Sequence, residues 1–292
     1  MPAPTVNTDT PPTNNTVPTH VAAARSYQPR SSVGHSIRMR RILNPNDNRT
    51  VILPLDHAMV LGVVPGIVDP RITVELGIAA NVDAVLFQPG IARYTVDIYA
   101  GRAASLLKIT NGASVDTEQW VIGSVDQALV YDADAICVEF YLGDPNEMRV
   151  LHDISRLQRE AERYGLPVIM HAYVHPDYDA KVGVKAWIHA CRIAGELGAD
   201  IVKTAYISDK DALIALVEGT PAPVVVAGGD SQATTHQLLS DISGALRCGV
   251  SGVAVGRRAW GAKDPQATIE AIRAVVHETA TVDDVMSRFG LS

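Results

Sequence analysis

Ala199-Asp200-Ile201-Val202-Lys203-Thr204-Ala205 is a short, mostly apolar run with one ammonium group inside it. Leu197-Gly198 just before it is a helix-ending signal, so the run reads as a buried strand entered from a helix. A charged lysine in such a place loses hydration and needs either a compensating partner or a lowered pKa. A lysine lowered in that way is partly neutral near pH 7, and a neutral amine attacks a carbonyl carbon to form a Schiff base. The plainer alternative is a strand-tip lysine that pairs with a carboxylate or snorkels to water.

Outward from this segment one pattern repeats: a short apolar run, a loop, then a longer stretch of helical periodicity. Candidate strands before it are Thr50–Leu55, Asp83–Phe87, Ser105–Thr110, Ala133–Phe140 and Pro167–Ala172. The run itself contributes Asp200–Thr204, and Pro223–Ala227 and Ser251–Val255 follow. Helical periodicity marks Pro70–Ala80, Asn146–Tyr164, Val184–Leu197, Ser208–Glu218, Thr234–Arg247 and Pro265–Glu278. Strands nearly continuous in apolar residues belong to a sheet covered on both faces. Eight such units in about 230 residues predict an α/β fold of the (β/α)8, or TIM-barrel, type. A doubly wound open sheet would more often carry a Gly-rich dinucleotide loop after an early strand, and none is present.

Composition agrees with one large domain. Of 292 residues 47% are hydrophobic and 20% charged, enough for a sizeable core. The formal net charge is -7 and the body of the chain has no long basic cluster, which argues against nucleic acid as a partner. No apolar run approaches the length of a membrane span. Cys137, Cys191 and Cys248 lack metal-type spacing and read as reduced thiols of a cytoplasmic protein. Residues 1–34 are rich in Pro, Thr, Asn, Ser and Ala, and are expected to form a flexible tail before a single domain at 35–292. Arg25, Arg30 and Arg38-Met39-Arg40-Arg41 hint at a transit peptide, but the early prolines and the missing amphipathic pattern oppose it.

In such a barrel the chemistry gathers at the C-terminal ends of the strands. Reading those ends in order gives Asp56 and His57, Gln88, Lys108, Glu139, His171 and Tyr173, then Lys203, Gly228-Gly229 and Gly256-Arg257-Arg258. One face thus collects carboxylates, a phenol and a candidate nucleophilic amine. Each residue also has a plain reading: Tyr173 as a rim tyrosine, Asp56 as a helix cap or a counter-ion, Glu139 as the structural partner of a lysine. His57, His171, His175 and His189 raise a metal-hydrolase alternative, but no tight ligand pair appears. Neither a metal nor a cofactor is therefore expected. The loops after strands seven and eight are the usual phosphate corner of this barrel, and Gly228, Gly229 and Gly256 would let backbone N–H groups approach an anion. Arg257 would add a bidentate contact, whereas Asp230 counts slightly against the site.

Leu53-Pro54-Leu55-Asp56-His57, Tyr173, Asp200-Ile201-Val202-Lys203, Ala227-Gly228-Gly229 and Gly252-Val253-Ala254-Val255-Gly256-Arg257 together resemble the archaeal-type class I aldolases. This DeoC/LacD-like group includes fructose-bisphosphate aldolases, aminodideoxyheptulosonate synthases and a thiolase acting on a phosphorylated signal. The likeness runs from about Ser36 to Gly290. It implies a Schiff-base lysine at Lys203, a proton-transferring tyrosine at Tyr173 and an assisting carboxylate at Asp56. It also implies phosphate binding by Gly228, Gly229, Gly256 and Arg257, and a homo-oligomer of two stacked pentameric rings. His171 stands where the sugar-bisphosphate aldolases tend to carry an aromatic such as Trp, Ala58 replaces a glycine, and Asp230-Ser231-Gln232 is atypical. These departures surround the substrate, so His57 and His171 become candidate contacts for a polar aldehyde. The resemblance implies a phosphorylated ketone, or a sugar-phosphate fragment, joined to an aldehyde such as aspartate semialdehyde. Fructose 1,6-bisphosphate cleavage, thiolysis of a phosphorylated dione and a sugar-phosphate sensor without catalysis are the alternatives.

Overall fold

Eight strands pair in parallel and in sequence order: β1 (Thr50–Pro54), β2 (Ala84–Phe87), β3 (Ala104–Lys108), β4 (Ala135–Leu142), β5 (Val168–Val174), β6 (Ile201–Thr204), β7 (Val224–Ala227) and β8 (Gly252–Ala254). β8 returns to β1 through Thr50↔Gly252, which closes the barrel. The structure, a computed structural model, describes residues 32–111, 118–228 and 233–291. Most of the segment read as a tail, residues 1–31, lies outside the described residues. Gly252 is the residue that permits the closure. Its φ is +146°, and a Cβ there would overlap the Thr50 carbonyl oxygen.

The helices are α1 (Val33–Ile42), α2 (Ala58–Leu61), α3 (Pro70–Ala79), α4 (Pro89–Tyr99), α5 (Val125–Val130), α6 (Glu147–Arg163) and α7 (Pro176–Val182). They continue as α8 (Val184–Glu196), α9 (Lys210–Gly219), α10 (Thr235–Arg247), α11 (Arg257–Trp260), α12 (Pro265–His277) and α13 (Val282–Arg288). Their starts follow from capping chemistry. Asp69, Ser124, Asp209, Thr234 and Asp264 each accept a backbone N–H of the first turn, and Pro70 and Pro265 follow two of these caps directly. The six helices read from sequence are all present. α4 and α5, absent from that reading, supply the missing crossovers after β2 and β3.

Two apolar clusters divide the strand residues by alternation. Val51, Leu53, Val85, Phe87, Val138, Phe140, Met170, Val202 and Val226 face outward into the helix layer. Ile52, Leu86, Leu106, Cys137, Ile169, Ile201 and Val225 face inward, and burying each such aliphatic side chain contributes roughly 1.5–3 kcal/mol. α1 is a correction to the expected tail boundary. Ser32 caps it, so Val33 and Gly34 already belong to a helix, and its Met39 and Ile42 plug the N-terminal end of the barrel beside Ile52 and Ala84. All three cysteines are buried and free. No helix is long and apolar enough to cross a membrane.

Candidate active site

The inward alternation places the chemistry. Leu106, Cys137, Ile169 and Ile201 fill one interior layer, so the residues two further on, Lys108, Glu139, His171 and Lys203, form the next layer toward the C-terminal mouth. Register pairs Glu139 with His171 and His171 with Lys203. β4 and β5 run further than their neighbours, and this lifts a second tier, Tyr141 beside Tyr173, above Glu139 and His171. Asp56 and His57 enter from the end of β1. A cavity of about 230 Å³ opens here, and Asp56, His57, Lys108, Tyr141, Tyr173, Lys203 and Arg257 are among its lining residues.

Lys203 is 7% exposed and stands with its Nζ 6.0 Å from the centre of the Tyr173 ring. The expected lowering of its pKa does not occur. Burial pushes it down, and so does the Lys108 cation, but Tyr173, Asp56 and Glu139 together carry it above the ordinary lysine range. Lys203 therefore rests as an ammonium, poised rather than already neutral.

Lys108, read from sequence as a strand-end residue without a role, is central to the site. Its ammonium lies 2.6 Å from Glu139 Oε2, 3.2 Å from His171 Nδ1 and 3.5 Å from Asp56 Oδ2. The first is a hydrogen bond to a carboxylate, and Asp56 adds an ion pair. Burial opposes its charge, yet Glu139 and Asp56 raise its pKa, so it is a permanent cation. In turn Asp56, for which burial alone would favour the neutral acid, is held below its usual range by Lys108 and Lys203. Glu139 is held low by Lys108 and His171 against the same burial. This makes Glu139 the structural partner of a lysine, as read from sequence, with Lys108 as that lysine.

His171 is corrected. It is 1% exposed and lies beneath the cavity wall instead of lining the mouth, so it does not serve as a direct substrate contact in this arrangement. Burial, Lys203 and Lys108 push its pKa down to about 3, and the ring is neutral. Its Nδ1 lies 3.2 Å from the Lys108 ammonium and 3.3 Å from Glu139 Oε2, and its Nε2 finds no hydrogen-bond partner among the described residues. His57 does line the cavity. Its ring meets Trp260 edge-on at 5.5 Å, and burial holds its pKa below the ordinary histidine value.

The anion corner is partly described. Gly256 begins α11, and a Cβ there would come within 2.6 Å of His57 Cε1, so the loop passes close to the His57 ring because it carries no side chain. Arg258 donates to the Gly228 carbonyl at 2.6 Å and to the Thr234 carbonyl at 2.9 Å, tying the loop after β7 to that after β8. Arg257 is exposed and lines the cavity, free to turn toward a ligand. Gly229 and Asp230 lie outside the described residues. Among the described residues no group of three or more His, Cys, Asp or Glu is arranged to hold a metal ion.

Tyr141 also went unread, because the fourth strand was expected to stop at Phe140. The signal was available: Glu139 and Tyr141 repeat the two-residue spacing of His171 and Tyr173, which puts all four on one face. The Tyr141 phenol hydrogen-bonds to Glu139, and burial together with that carboxylate raises its pKa.

Comparison with known proteins gives the setting. Residues 50–262 match the family model described as DeoC/LacD family aldolase. Over 265 residues the chain is 33% identical to a 2-amino-3,7-dideoxy-D-threo-hept-6-ulosonate synthase of Halobacterium salinarum, covering 89% of this chain and 98% of that one. It is 28% identical over 259 residues to a 2-amino-4,5-dihydroxy-6-oxo-7-(phosphonooxy)heptanoate synthase of Streptomyces griseus, covering 87% and 94%. Among solved structures, an archaeal fructose-1,6-bisphosphate aldolase whose catalytic lysine is bound to a carbinolamine superposes with a TM-score of 0.75. It is 26% identical, and the match covers 83% of this chain and 99% of that one.

Proposed function

The chain belongs to the DeoC/LacD family of aldolases, and on that footing we propose that it joins a phosphorylated ketone to an aldehyde through an imine on Lys203. It is a class I enzyme, one that works by a Schiff base. The observation that carries the assignment to Lys203 is the contrast between the two buried lysines. Both line the cavity, but Lys108 is held at 2.6 Å by Glu139, at 3.2 Å by His171 and at 3.5 Å by Asp56, whereas Lys203 stands beside the Tyr173 phenol.

In the proposed sequence Asp56, the ionised acceptor near both ammonium groups, takes a proton from Lys203. The nitrogen lone pair bonds to the ketone carbon while the C=O pair moves to oxygen, which Tyr173 protonates. Loss of water leaves an iminium ion. Its nitrogen draws in the electron pair released when the adjacent carbon loses a proton to the Tyr173 phenolate or a C–C bond breaks. The enamine then attacks the aldehyde carbon, and the C=O pair moves to the aldehyde oxygen, which takes a proton from Tyr173. Hydrolysis of the new iminium returns Lys203. The phosphate, placed between Gly228, Gly229, Gly256 and Arg257, would hold the reacting carbon over the amine from a distance.

The two synthases among the relatives favour a biosynthetic aldol addition with an aldehyde of the aspartate-semialdehyde kind. Cleavage of fructose 1,6-bisphosphate is the second reading, favoured by the solved neighbours. The chain from Ser32 onward works as one catalytic unit in the cytoplasm, in an assembly of two pentameric rings. Borohydride reduction with dihydroxyacetone phosphate, read by mass spectrometry, is expected to fix a stable adduct on Lys203. The same donor with a panel of aldehydes, alongside fructose 1,6-bisphosphate, then identifies the substrates. An adduct on another residue rejects the lysine assignment, and strong activity on the bisphosphate alone moves the function to the second reading.

A further inference from the structure

The two phenols of the upper tier differ in what their oxygens can offer. Tyr141 and Tyr173 are register partners on β4 and β5, with ring centres 5.5 Å apart, and both line the cavity that Lys203 borders. Tyr141 is hydrogen-bonded to Glu139, whose Oε2 sits 2.6 Å from the Lys108 ammonium. A carboxylate paired with an ammonium at that distance is ionised, and an ionised carboxylate only accepts. The hydroxyl of Tyr141 must therefore donate to Glu139. Its single proton is committed, and the phenol oxygen can meet a ligand only with lone pairs.

The buried frame below prevents the opposite orientation. For Tyr141 to present its proton to a ligand, Glu139 would have to give up a donor in a place where Lys108 and His171 already crowd it. A ligand carbonyl or carboxylate oxygen facing Tyr141 would meet lone pair against lone pair. A hydroxyl or an ammonium group would find an acceptor.

From this geometry we infer that Tyr141 is a specificity-determining residue, a fixed hydrogen-bond acceptor that selects substrates bearing a hydroxyl or ammonium group within two carbons of the reacting carbon. The inference rests on the imine-forming function proposed above and deepens it, because it names the chemistry that one wall of the site requires. Tyr173 moves protons. Tyr141 reads a donor group and takes no part in bond making. The donor group has two possible sources, the ketone or the aldehyde, and the test separates them.

The test compares wild-type enzyme with Tyr141→Phe, which keeps the ring and removes only the oxygen. Donor ketones are dihydroxyacetone phosphate and its analogue lacking the free hydroxyl, hydroxyacetone phosphate. Aldehydes are aspartate semialdehyde and succinate semialdehyde, which lacks the amine. The expected result is a loss of roughly 10- to 100-fold in the wild-type preference for the substituted member of one pair, with kcat/KM for the unsubstituted member retained. The pair affected identifies the source. Borohydride trapping on Lys203 is expected in both proteins, and this shows the variant folded and its amine competent. Trapping in both with unchanged preference in both pairs overturns the inference alone, as does an equal fall for all substrates. No trapping even in the wild type overturns the imine reading, and this inference with it.

Discussion

Both ends of the barrel bury carboxylates, but they satisfy them differently. At the N-terminal end Asp83, Asp134 and Asp200 each precede an even-numbered strand, and each accepts a backbone N–H from the odd strand before it: Val51 at 2.6 Å, Ser105 at 2.9 Å and Val168 at 2.9 Å. Each also meets a side-chain nitrogen: of His277, Arg41 and His35 respectively. Ser251 holds the fourth such place, since its N–H bonds to Val224 as those of the three aspartates bond to Val51, Ser105 and Val168. At the C-terminal end Asp56 and Glu139 instead meet the side chains of Lys108 and His171, and His57 Nδ1 and His171 Nε2 have no hydrogen-bond partner among the described residues. Carboxylates bonded to the backbone lock strand register. Carboxylates held by side chains leave a charge network that a substrate can complete or rearrange. A larger cavity, about 740 Å³, lies at the N-terminal end beside Arg41, Asp83 and Asp134, yet no lysine lines it. Size does not mark the reactive end.

This contrast predicts that substitutions at the two ends separate activity from stability. Lys203→Ala is the largest effect at the mouth. Turnover should fall by on the order of 10⁴-fold or more and the borohydride adduct should vanish, with the melting temperature nearly unchanged. Asp200→Ala strikes the other end of the same short strand. Removing it takes the acceptor from the Val168 N–H and the carboxylate from His35, and should destabilise the fold by roughly 1–3 kcal/mol in denaturant titration while kcat per folded molecule stays near the wild-type value. Comparable losses of kcat in both variants would erase the distinction. Lys108→Met sharpens it. The Lys108 charge opposes protonation of Lys203, so its removal, which also frees Asp56 to face Lys203, raises the Lys203 pKa further. The acidic limb of kcat/KM should therefore move to higher pH, with about a tenfold loss near neutrality for each unit moved. An unmoved limb would mean that Lys108 acts on structure alone.

The degree to which this was legible in the sequence follows the range of the forces involved. The eight strands were visible because apolar runs and helix stops are local, and Lys203 stood out as one charge in an apolar run. The sign of its pKa shift was not visible, since the groups that reverse burial, Tyr173, Asp56 and Glu139, come from three other strands or strand ends. His171 was recognised as facing the axis but not as lying one tier too deep, because alternation gives direction and not depth. α1 went unread as a helix, and its first two residues were placed in the tail, because its sequence is polar. Only closure of the barrel gives Met39, Ile42 and His35 something to bury against.

The smallest of the predicted effects concerns His277, the last residue of α12, and it tests the N-terminal end by pH. Its Nδ1 lies 2.7 Å from Asp47 and its Nε2 2.9 Å from Asp83. Two carboxylates can both be satisfied only if both ring nitrogens carry protons, so the ring is an imidazolium, which the C-terminus of a helix also favours. Burial pushes its pKa down, but the bonds to Asp83 and Asp47 outweigh that and raise it above the ordinary histidine value. A raised folded-state pKa gives a stabilisation fully present below the ordinary value and lost as pH climbs through the folded one. His277→Gln should therefore cost about 1–2 kcal/mol in mildly acidic buffer, and the gap between its melting temperature and that of the wild type should narrow as pH climbs through the raised folded-state value. Activity per folded molecule should not follow the change, because Asp83 anchors Val51 at the start of β1 while Asp56 emerges from its far end. A gap constant across that range would mean a neutral ring, and the N-terminal carboxylates would then owe their order to the backbone alone.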